Sequence, residues 1–297
     1  MSVADRPVLG IDIGGSGIKG APVDLTTGTL VAERLRIPTP RKSTPQACAD
    51  IVARIVERFA DQIGDQPIGI TVPAPVVHGV VPMMANLDPS WVGCNVDELF
   101  SQRLGRQAML VNDADAAGLA EVRYGAAKDN FGLVIVTTLG TGIGSAVIHE
   151  GRLVPNSELG HLEIGGLDAE SQASAAAKSK ARLSYKRWAR RLQVYYSTVE
   201  MLLWPDLFVV GGGVSKRHEQ FLPLLQLNTP IVPAKLFNEA GIVGAATVAM
   251  SLPVNVPTSQ PGRQPVDIRL WDDPPAPAAS EPERKKRGGR RSRKQSA

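Results

Sequence analysis

An apolar run that breaks into a glycine-rich turn and then resumes occurs twice in this sequence. In the first copy, residues 8–13 run into Gly14-Gly15-Ser16-Gly17, and residues 18–23 continue the apolar pattern. In the second copy, residues 133–139 precede glycines at 140, 142 and 144, and residues 145–149 follow. Alternating apolar positions on both sides of a glycine turn predict a β-hairpin. The repetition therefore predicts two similar halves whose glycine turns can face each other across a cleft.

The residues after each hairpin complete an α/β unit. In the first copy, residues 30–37 alternate as a third strand, Ser43 or Thr44 can cap a helix, and residues 68–72 form a buried strand. The second copy offers a third strand at 152–154, a long helical pattern from 169 to about 203, and a buried strand at 207–210. We expect further helices from Ser215 and at 240–250. Strands joined by helical crossovers predict an α/β fold.

Positive charge is concentrated at the C-terminal end of the chain. The 297 residues carry a net charge of +4, and residues 253–297 hold ten Lys and Arg against five Asp and Glu, so the rest is close to neutral. Hydrophobic periodicity disappears there as proline content rises, which predicts a disordered, Pro-rich basic tail at 253–297. Such a tail could bind an acidic partner, although most are simply solvated. We expect no nucleic-acid partner for the folded core.

The composition also excludes several classes of protein. No stretch approaches the roughly 20 apolar residues of a membrane span, and the N-terminus lacks a signal-peptide pattern. We therefore expect a cytoplasmic protein without a membrane partner. The two cysteines, Cys48 and Cys94, are too few for a disulfide framework and lack metal-ligand spacing.

The first glycine turn carries a carboxylate at its edge. Asp12 ends a strand next to Gly14, Gly15 and Ser16. Backbone N–H groups can approach a phosphate closely at such a turn, and the carboxylate can order water around Mg²⁺. A plain hairpin turn explains the same residues equally well when this motif is taken alone.

The second glycine turn adds weight to the phosphate interpretation. Thr138, Gly140, Thr141 and Gly142 again combine hydroxyls with glycines between two strands. Two such turns suggest a clamp that holds a phosphate chain from both sides. Neither turn fits a Walker A loop, which needs a lysine and a hydroxyl opening a helix, or a dinucleotide fingerprint, which must also open a helix.

An amide and two carboxylates stand where a predicted strand meets a predicted helix. Asn112 and Asp113 stand between the apolar run at 108–111 and the helical residues 114–124, and Asp115 is the second residue of that helical run. An aspartate there can cap the helix or act as a general base. Asp115 suits the cap at least as well as Asp113, which leaves Asp113 for chemistry.

The order of five motifs resembles the ROK family of sugar kinases, within the actin-like, ribonuclease-H-like ATPases. These motifs are D-x-G-G-S, V-x-N-D-A-D, G-T-G-I-G, E-L-G-H and G-G-G-V-S, and the resemblance covers residues 8 to about 250. Residues 11–21, 112–125 and 140–161 are most similar to the actinobacterial polyphosphate glucokinases. The resemblance implies two α/β domains around a ligand cleft. The first domain would be residues 1–108 together with a closing helix at 239–251, and the second would be residues 109–238.

The resemblance also implies an activity and the residues that perform it. A phosphoryl group would pass from polyphosphate, and also from ATP, to the 6-hydroxyl of glucose, with Mg²⁺ as cofactor and a homodimer as the assembly. Asp113 would be the general base. Asn112, Glu158, His161 and Glu170 would bind the sugar, and Gly211, Gly212 and Gly213 would form the loop on the nucleotide side.

Two other functions compete with this interpretation. One is a strictly ATP-dependent hexose kinase that also accepts mannose. The other is a sugar-sensing repressor, which would carry a DNA-binding domain of about 70 residues before the Asp12 motif, so we set it aside.

Donor choice and metal content depend on the segment after the sugar motif. Many ROK members have a cysteine-rich zinc motif there, and residues 165–177 contain no cysteine, so we expect no structural zinc. A basic run follows, and it could form a track for a polyanion or simply a solvated helix face. The residues of this run that could form the polyphosphate track are Lys178, Lys180, Arg182, Lys186 and Arg187.

Overall fold

The computed structural model describes residues 6–251, and the predicted tail at 253–297 lies outside them. Within that range no helix combines the length and the apolar character needed to cross a membrane. The described residues form two main β-sheets with helices packed on their faces, which is the α/β organisation that the sequence predicts.

The first sheet contains the first glycine hairpin. Its six strands are β1 (Val8–Gly14), β2 (Gly17–Asp24), β3 (Thr29–Leu30), β4 (Leu35–Ile37), β5 (Ile68–Val72) and β6 (Ala108–Asn112). β2 pairs antiparallel with β1, and β5 and β6 extend the sheet in parallel on the other side of β1. Two helices, α1 (Pro45–Ile63) and α2 (Val96–Leu104), pack on this sheet, and the cap of α1 is Thr44.

The second sheet repeats this arrangement. Its strands are β7 (Leu133–Leu139), β8 (Ile143–His149), β9 (Arg152–Val154), β12 (Leu207–Gly211) and β13 (Ile231–Pro233). An antiparallel meander, β7 to β9, again continues through two parallel strands beside its first member. A two-stranded antiparallel ribbon, β10 (Glu163–Ile164) and β11 (Leu167–Asp168), lies between β9 and β12 in the chain. The predicted duplication is therefore confirmed at the level of strand order.

Three helices replace the single long helix that the pattern at 169–203 predicts. They are α4 (Ala169–Ala173), α5 (Ala175–Lys180) and α6 (Tyr185–Leu203). The breaks occur at serines: Ser174 accepts the N–H of Ala177 and Ser184 accepts the N–H of Arg187, so each serine caps a new helix. The continuous-helix prediction is wrong because these side chains satisfy the first N–H groups of new helices.

Other local predictions need smaller corrections. The third strand expected at 30–37 is split into β3 and β4, because Pro22 in β2 has no N–H to offer and only its carbonyl pairs, with the N–H of Val31. The helix expected from Ser215 is a 3₁₀ stretch at Gly213–Gln220. α2 and β13 are absent from the sequence prediction altogether.

Two helices cross from one half of the chain to the other. α3 (Asp113–Tyr124) follows β6 of the first sheet but packs on β7 and β8 of the second, and α7 (Ala240–Ser251) follows the second sheet but packs on β1 and β5 of the first. The two helices also pack against each other. Glycines permit this close approach: a Cβ on Gly69 would overlap the carbonyl oxygen of Ala245, and one on Gly244 would overlap that of Ala116.

Candidate active site

A cleft of about 630 Å³ lies between the two glycine turns. Its walls come from both sheets, as the duplicated pattern predicts. It also receives part of the irregular segment at 73–93, through Pro73, Pro75 and Asn86. The predicted site residues that line it are Gly14, Gly15, Ser16, Asn112, Asp113, Thr138, Gly140, Thr141, Gly142, Glu158, His161 and Glu170.

Asn112 caps the helix that starts at the cleft. Its Oδ1 accepts the N–H groups of Ala114 at 2.8 Å and Asp115 at 3.1 Å. The expectation that Asp115 caps α3 is therefore wrong, because Asn112 keeps an extended backbone with ψ of 141° and the chain turns helical immediately after it. Since Oδ1 is engaged, the amide Nδ2 of Asn112 is the group that it can offer to a ligand.

Asp113 presents a carboxyl group with a raised pKa to the cleft. Burial raises its pKa to about 7, and the neighbouring carboxylates of Asp12 and Glu158 act in the same direction. Asp12 is itself held by Lys19, whose amine lies 2.9 Å from Oδ2, and by the hydroxyl of Thr71, which donates to Oδ1 at 3.0 Å. A carboxyl group with a pKa near neutrality is well matched to proton abstraction at physiological pH.

This pKa predicts the pH dependence of any reaction that uses Asp113 as a base. Only the carboxylate accepts a proton, so kcat/KM for the acceptor should fall about tenfold per pH unit below pH 7 and level off above it. The measurement is a pH–rate profile at saturating donor. The residual activity of an Asp113→Asn variant should lack this limb, and a wild-type profile that stays flat down to about pH 5 would contradict the assignment.

The opposite wall offers a histidine with a fixed orientation. His161 Nδ1 lies 2.9 Å from Asp168 Oδ2, and this hydrogen bond is the main reason why the pKa of His161 is raised. Nε2 is thereby the ring nitrogen available to the cleft. Asp168 reaches His161 because the β10–β11 ribbon folds the chain back between them.

Two glutamates accompany the histidine. Burial raises the pKa of Glu158. Glu170 accepts the N–H of Ile143 through Oε2 at 3.0 Å, which ties it to the second glycine turn. Among the described residues, His161, Asp168 and Glu170 also form a group whose ligand atoms lie within 4.8 Å of one another, close enough to hold a metal ion.

Hydrogen bonds shape the two glycine turns. The Thr39 hydroxyl donates to the Gly14 carbonyl at 2.5 Å. In the second turn, the N–H of Gly140 donates to the carbonyl of Gly142 at 3.0 Å, and the N–H of Ala176 donates to the carbonyl of Gly140 at 3.1 Å. The start of α5 is therefore anchored on the second turn.

Several predicted residues lie outside the cleft lining. Asp12 is one of them, although its charge acts on a lining residue by raising the pKa of Asp113. Gly211 ends β12 and pairs with Thr138 on β7, and Gly212 and Gly213 follow it, so this loop adjoins the second turn. The basic residues differ in their surroundings. Lys178 stacks on the Tyr185 ring at 4.2 Å, whereas Lys186 and Arg190 line a separate hollow of about 470 Å³ beside Leu224.

Comparison with known proteins agrees with this architecture. The model of the ROK family matches residues 8–174. A polyphosphate glucokinase of Mycobacterium tuberculosis (strain ATCC 25618 / H37Rv) is 49% identical over 251 residues, which are 84% of this chain and 94% of that protein. A polyphosphate glucokinase of Mycobacterium leprae is 49% identical over 80% of this chain and 72% of its own length.

Solved structures show the same fold. The inorganic polyphosphate/ATP-glucomannokinase from Arthrobacter sp. strain KM has 54% identity and a TM-score of 0.78, over 82% of this chain and 98% of its own. A ROK family glucokinase from Streptomyces griseus, in complex with glucose and AMPPNP, has 24% identity and a TM-score of 0.69, over 82% and 98%. The two sheets are thus the halves of the two-domain, actin-like ATPase fold of these kinases. With the family model matching more than half of its length, the chain belongs to the ROK family.

Proposed function

We propose that this protein transfers a phosphoryl group from inorganic polyphosphate, and also from ATP, to the 6-hydroxyl of glucose. The observation that carries the proposal is Asp113, a carboxyl group with a pKa near 7 that faces a cleft lined by two glycine turns. The names of the relatives that are 49% and 54% identical support both the acceptor and the donor. The glucomannokinase name makes mannose the second acceptor to test.

Each wall of the cleft has a task in this reaction. Asp113 takes the proton of the 6-hydroxyl as the hydroxyl oxygen attacks the terminal phosphorus of the donor. The bond from that phosphorus to its bridging oxygen breaks, and polyphosphate shortened by one phosphate, or ADP, leaves. Asn112, Glu158, His161 and Glu170 hold the remaining hydroxyls and fix the angle of attack. N–H groups of the turns at Gly14–Ser16 and Thr138–Gly142 cradle the donor phosphates. The loop at 211–213 borders the nucleotide when ATP is the donor.

The carboxylates beside the first glycine turn fit Mg²⁺ as the cofactor. Carboxylate oxygens are its preferred protein ligands, usually one or two together with substrate phosphates. Asp12 lies close enough to Asp113 to raise the pKa of that carboxyl, so the two acids adjoin the same space at the first glycine turn. When bound, the ion would neutralise charge on the transferred phosphoryl group. Asp12, already fixed by Lys19 and Thr71, is the residue we assign to it.

One assay tests the function as a whole. Purified protein is mixed with glucose and Mg²⁺, and glucose 6-phosphate is measured with polyphosphate or with ATP as donor. Product from polyphosphate is the expected result. Product from ATP alone would favour the strictly ATP-dependent kinase, and no product from either donor would refute the enzyme.

A track for the polyphosphate chain begins at α5 in this proposal. α5 is anchored on Gly140, and Lys178 and Lys180 lie in its last turn, with Arg182 just beyond. A chain leaving the second glycine turn would therefore meet these side chains first. Lys186 and Arg187 extend the track onto α6, although Lys186 borders the separate hollow.

Removing the first two charges should weaken long donors selectively. A Lys178→Gln, Lys180→Gln variant should raise KM for long polyphosphate roughly tenfold, because two contacts between a cation and a phosphate are lost. The slope of log affinity against log salt concentration should become shallower by about one for each lysine removed. KM for ATP and for glucose should not change. The matched control is Arg54→Gln with Arg58→Gln, which removes the same charge from exposed positions on α1, outside the cleft lining and the track. Equal effects on ATP and polyphosphate would contradict a track at α5.

The assembly and location follow as further proposals. We propose a cytoplasmic homodimer of two-domain subunits, with the closing helix at 239–251 joined to the first domain. The sequence predicts the domains at 1–108 and 109–238, but β6 (Ala108–Asn112) pairs with β5 in the first sheet, so the proposed boundary moves to the end of β6. Large apolar side chains exposed on or next to α6 support a protein–protein contact. They are Val194, Met201, Leu202 and Trp204.

A further inference from the structure

Asn156 forms a bridge between the two walls of the cleft. Its Oδ1 accepts the N–H of Val76 at 2.9 Å, and its Nδ2 donates to the carbonyl of Val76 at 3.0 Å. Val76 follows β5 of the first sheet, and Asn156 follows β9 of the second. One side chain thus pairs with both backbone groups of a residue on the opposite half, as a neighbouring strand would.

The backbone of Asn156 is held from a third direction. Its N–H donates to Asp115 Oδ2 at 2.7 Å, and Asp115 is only 1% exposed. The other carboxyl oxygen of Asp115 has no hydrogen-bond partner among residues 6–251. Asn156 also has a φ of 59°, a left-handed conformation that asparagine tolerates better than most residues. A buried carboxyl group and an uncommon backbone conformation together fix this residue.

The bridge lies next to residues that line the cleft. Pro75 immediately precedes Val76 on the first wall, and Glu158 stands two residues after Asn156 on the second. Beyond the bridge, the Ser145 hydroxyl donates to the carbonyl of Ser157 at 2.5 Å and accepts the N–H of Leu159 at 2.8 Å. Ser145 therefore holds the residues on both sides of Glu158, and Asn156, two residues before Glu158, ties the same segment to the first wall.

We propose that Asn156 is a positioning residue that joins the two walls and sets Glu158 at the sugar. This inference rests on the proposed function, since it takes a hexose as the ligand of Glu158. Without the bridge, the segment before Glu158 loses its contact with the first wall. The free-energy cost of ordering the Glu158 segment then opposes the binding of the sugar, whereas the binding of the donor to the glycine turns is unaffected.

The test is the Asn156→Gly variant with steady-state kinetics for both substrates. Glycine keeps the positive φ and the N–H to Asp115 but removes both bonds to Val76. Loss of two ordinary hydrogen bonds should raise KM for glucose roughly tenfold, with KM for the donor unchanged. Hydrogen exchange of the peptide that contains Val76 should become faster. The control is Asn130→Gly, outside the cleft, which should leave both KM values as in the wild type.

A second variant guards against a folding defect. Asn156→Asp keeps the size of the side chain and an acceptor for the Val76 N–H, but it cannot donate to the Val76 carbonyl and places a carboxyl group near Asp115. Its KM for glucose should also rise. An unchanged KM for glucose in either folded variant, or equal rises for glucose and donor, would overturn the inference. A wild-type protein that forms no glucose 6-phosphate would instead refute the proposed function.

Discussion

Replacing Asp113 by Asn is expected to lower kcat by about 10²- to 10⁴-fold while leaving glucose binding largely intact. The amide has the size of the carboxyl group and can still hydrogen bond, so the sugar contacts survive, but it cannot accept the proton of the 6-hydroxyl. Turnover with saturating donor measures the first effect, and calorimetric titration with glucose measures the second.

The same variant should be more stable than the wild type at alkaline pH. The pKa of Asp113 is raised in the folded protein to about 7, so folding favours the protonated form. The stability that this proton brings is complete below about pH 4 and is lost as pH rises to 7, at roughly 1 kcal/mol per pH unit. An asparagine does not ionise and avoids the loss, so the Tm of Asp113→Asn at pH 8 should exceed that of the wild type.

Asp115→Asn is the matched control for this experiment. Asp115 is buried two residues away, and its pKa is also raised to about 7 by burial, but its Oδ2 binds the backbone of Asn156 and it does not line the cleft. Its kcat should fall far less than that of Asp113→Asn. An active Asp113→Asn enzyme together with an inactive Asp115→Asn enzyme would place the base at Asp115.

Substituting Gly244 by Ala should destabilise the whole folded unit. A Cβ at this position of α7 would overlap the carbonyl oxygen of Ala116 in α3, and neither backbone can move without disturbing the sheets beneath. Overpacking of this kind costs typically about 1–3 kcal/mol, and more when the clash is with backbone. Thermal unfolding should show a Tm several degrees below that of the wild type, at about 2–4 °C per kcal/mol.

A neighbouring glycine on the same helix separates the clash from helix propensity. A Cβ on Gly241 would meet the Asp12 side chain at 3.4 Å, an ordinary contact. Gly241→Ala should therefore be neutral or slightly stabilising, since alanine favours a helix over glycine by about 1 kcal/mol. If both variants unfold at the same temperature as the wild type, the contact between α3 and α7 accommodates a methyl group, which would contradict the predicted clash.

Local patterns were sufficient for the hairpins and their glycine turns. Each signal spans a few residues, and the apolar positions repeat in both halves, so the cleft lining could be anticipated from residues such as Gly14 and Gly140. Glu158 and His161 of the E-L-G-H motif, which the family resemblance assigns to the sugar, both line the cleft. Their contributions to sugar binding remain predictions.

Longer-range contacts account for what the sequence did not reveal. Asp168 and Asn156 acquire their positions from a ribbon and from a residue on the other half, and nothing in their immediate surroundings signals this. The choice of cap among Asn112, Asp113 and Asp115 depends on the one residue whose backbone is extended, which composition does not show. The basic run similarly looked continuous until the helix break at Ser184 divided it.

The packing of α7 on the first sheet has a consequence for how the chain can be divided. One face of that sheet is covered by a helix that follows the second sheet in the chain, so a fragment that ends at Asn112 would leave this face bare. We therefore expect such a fragment not to fold alone, in spite of the repeated strand order. It would need to associate with the rest of the chain, as in split-protein complementation, to recover α7.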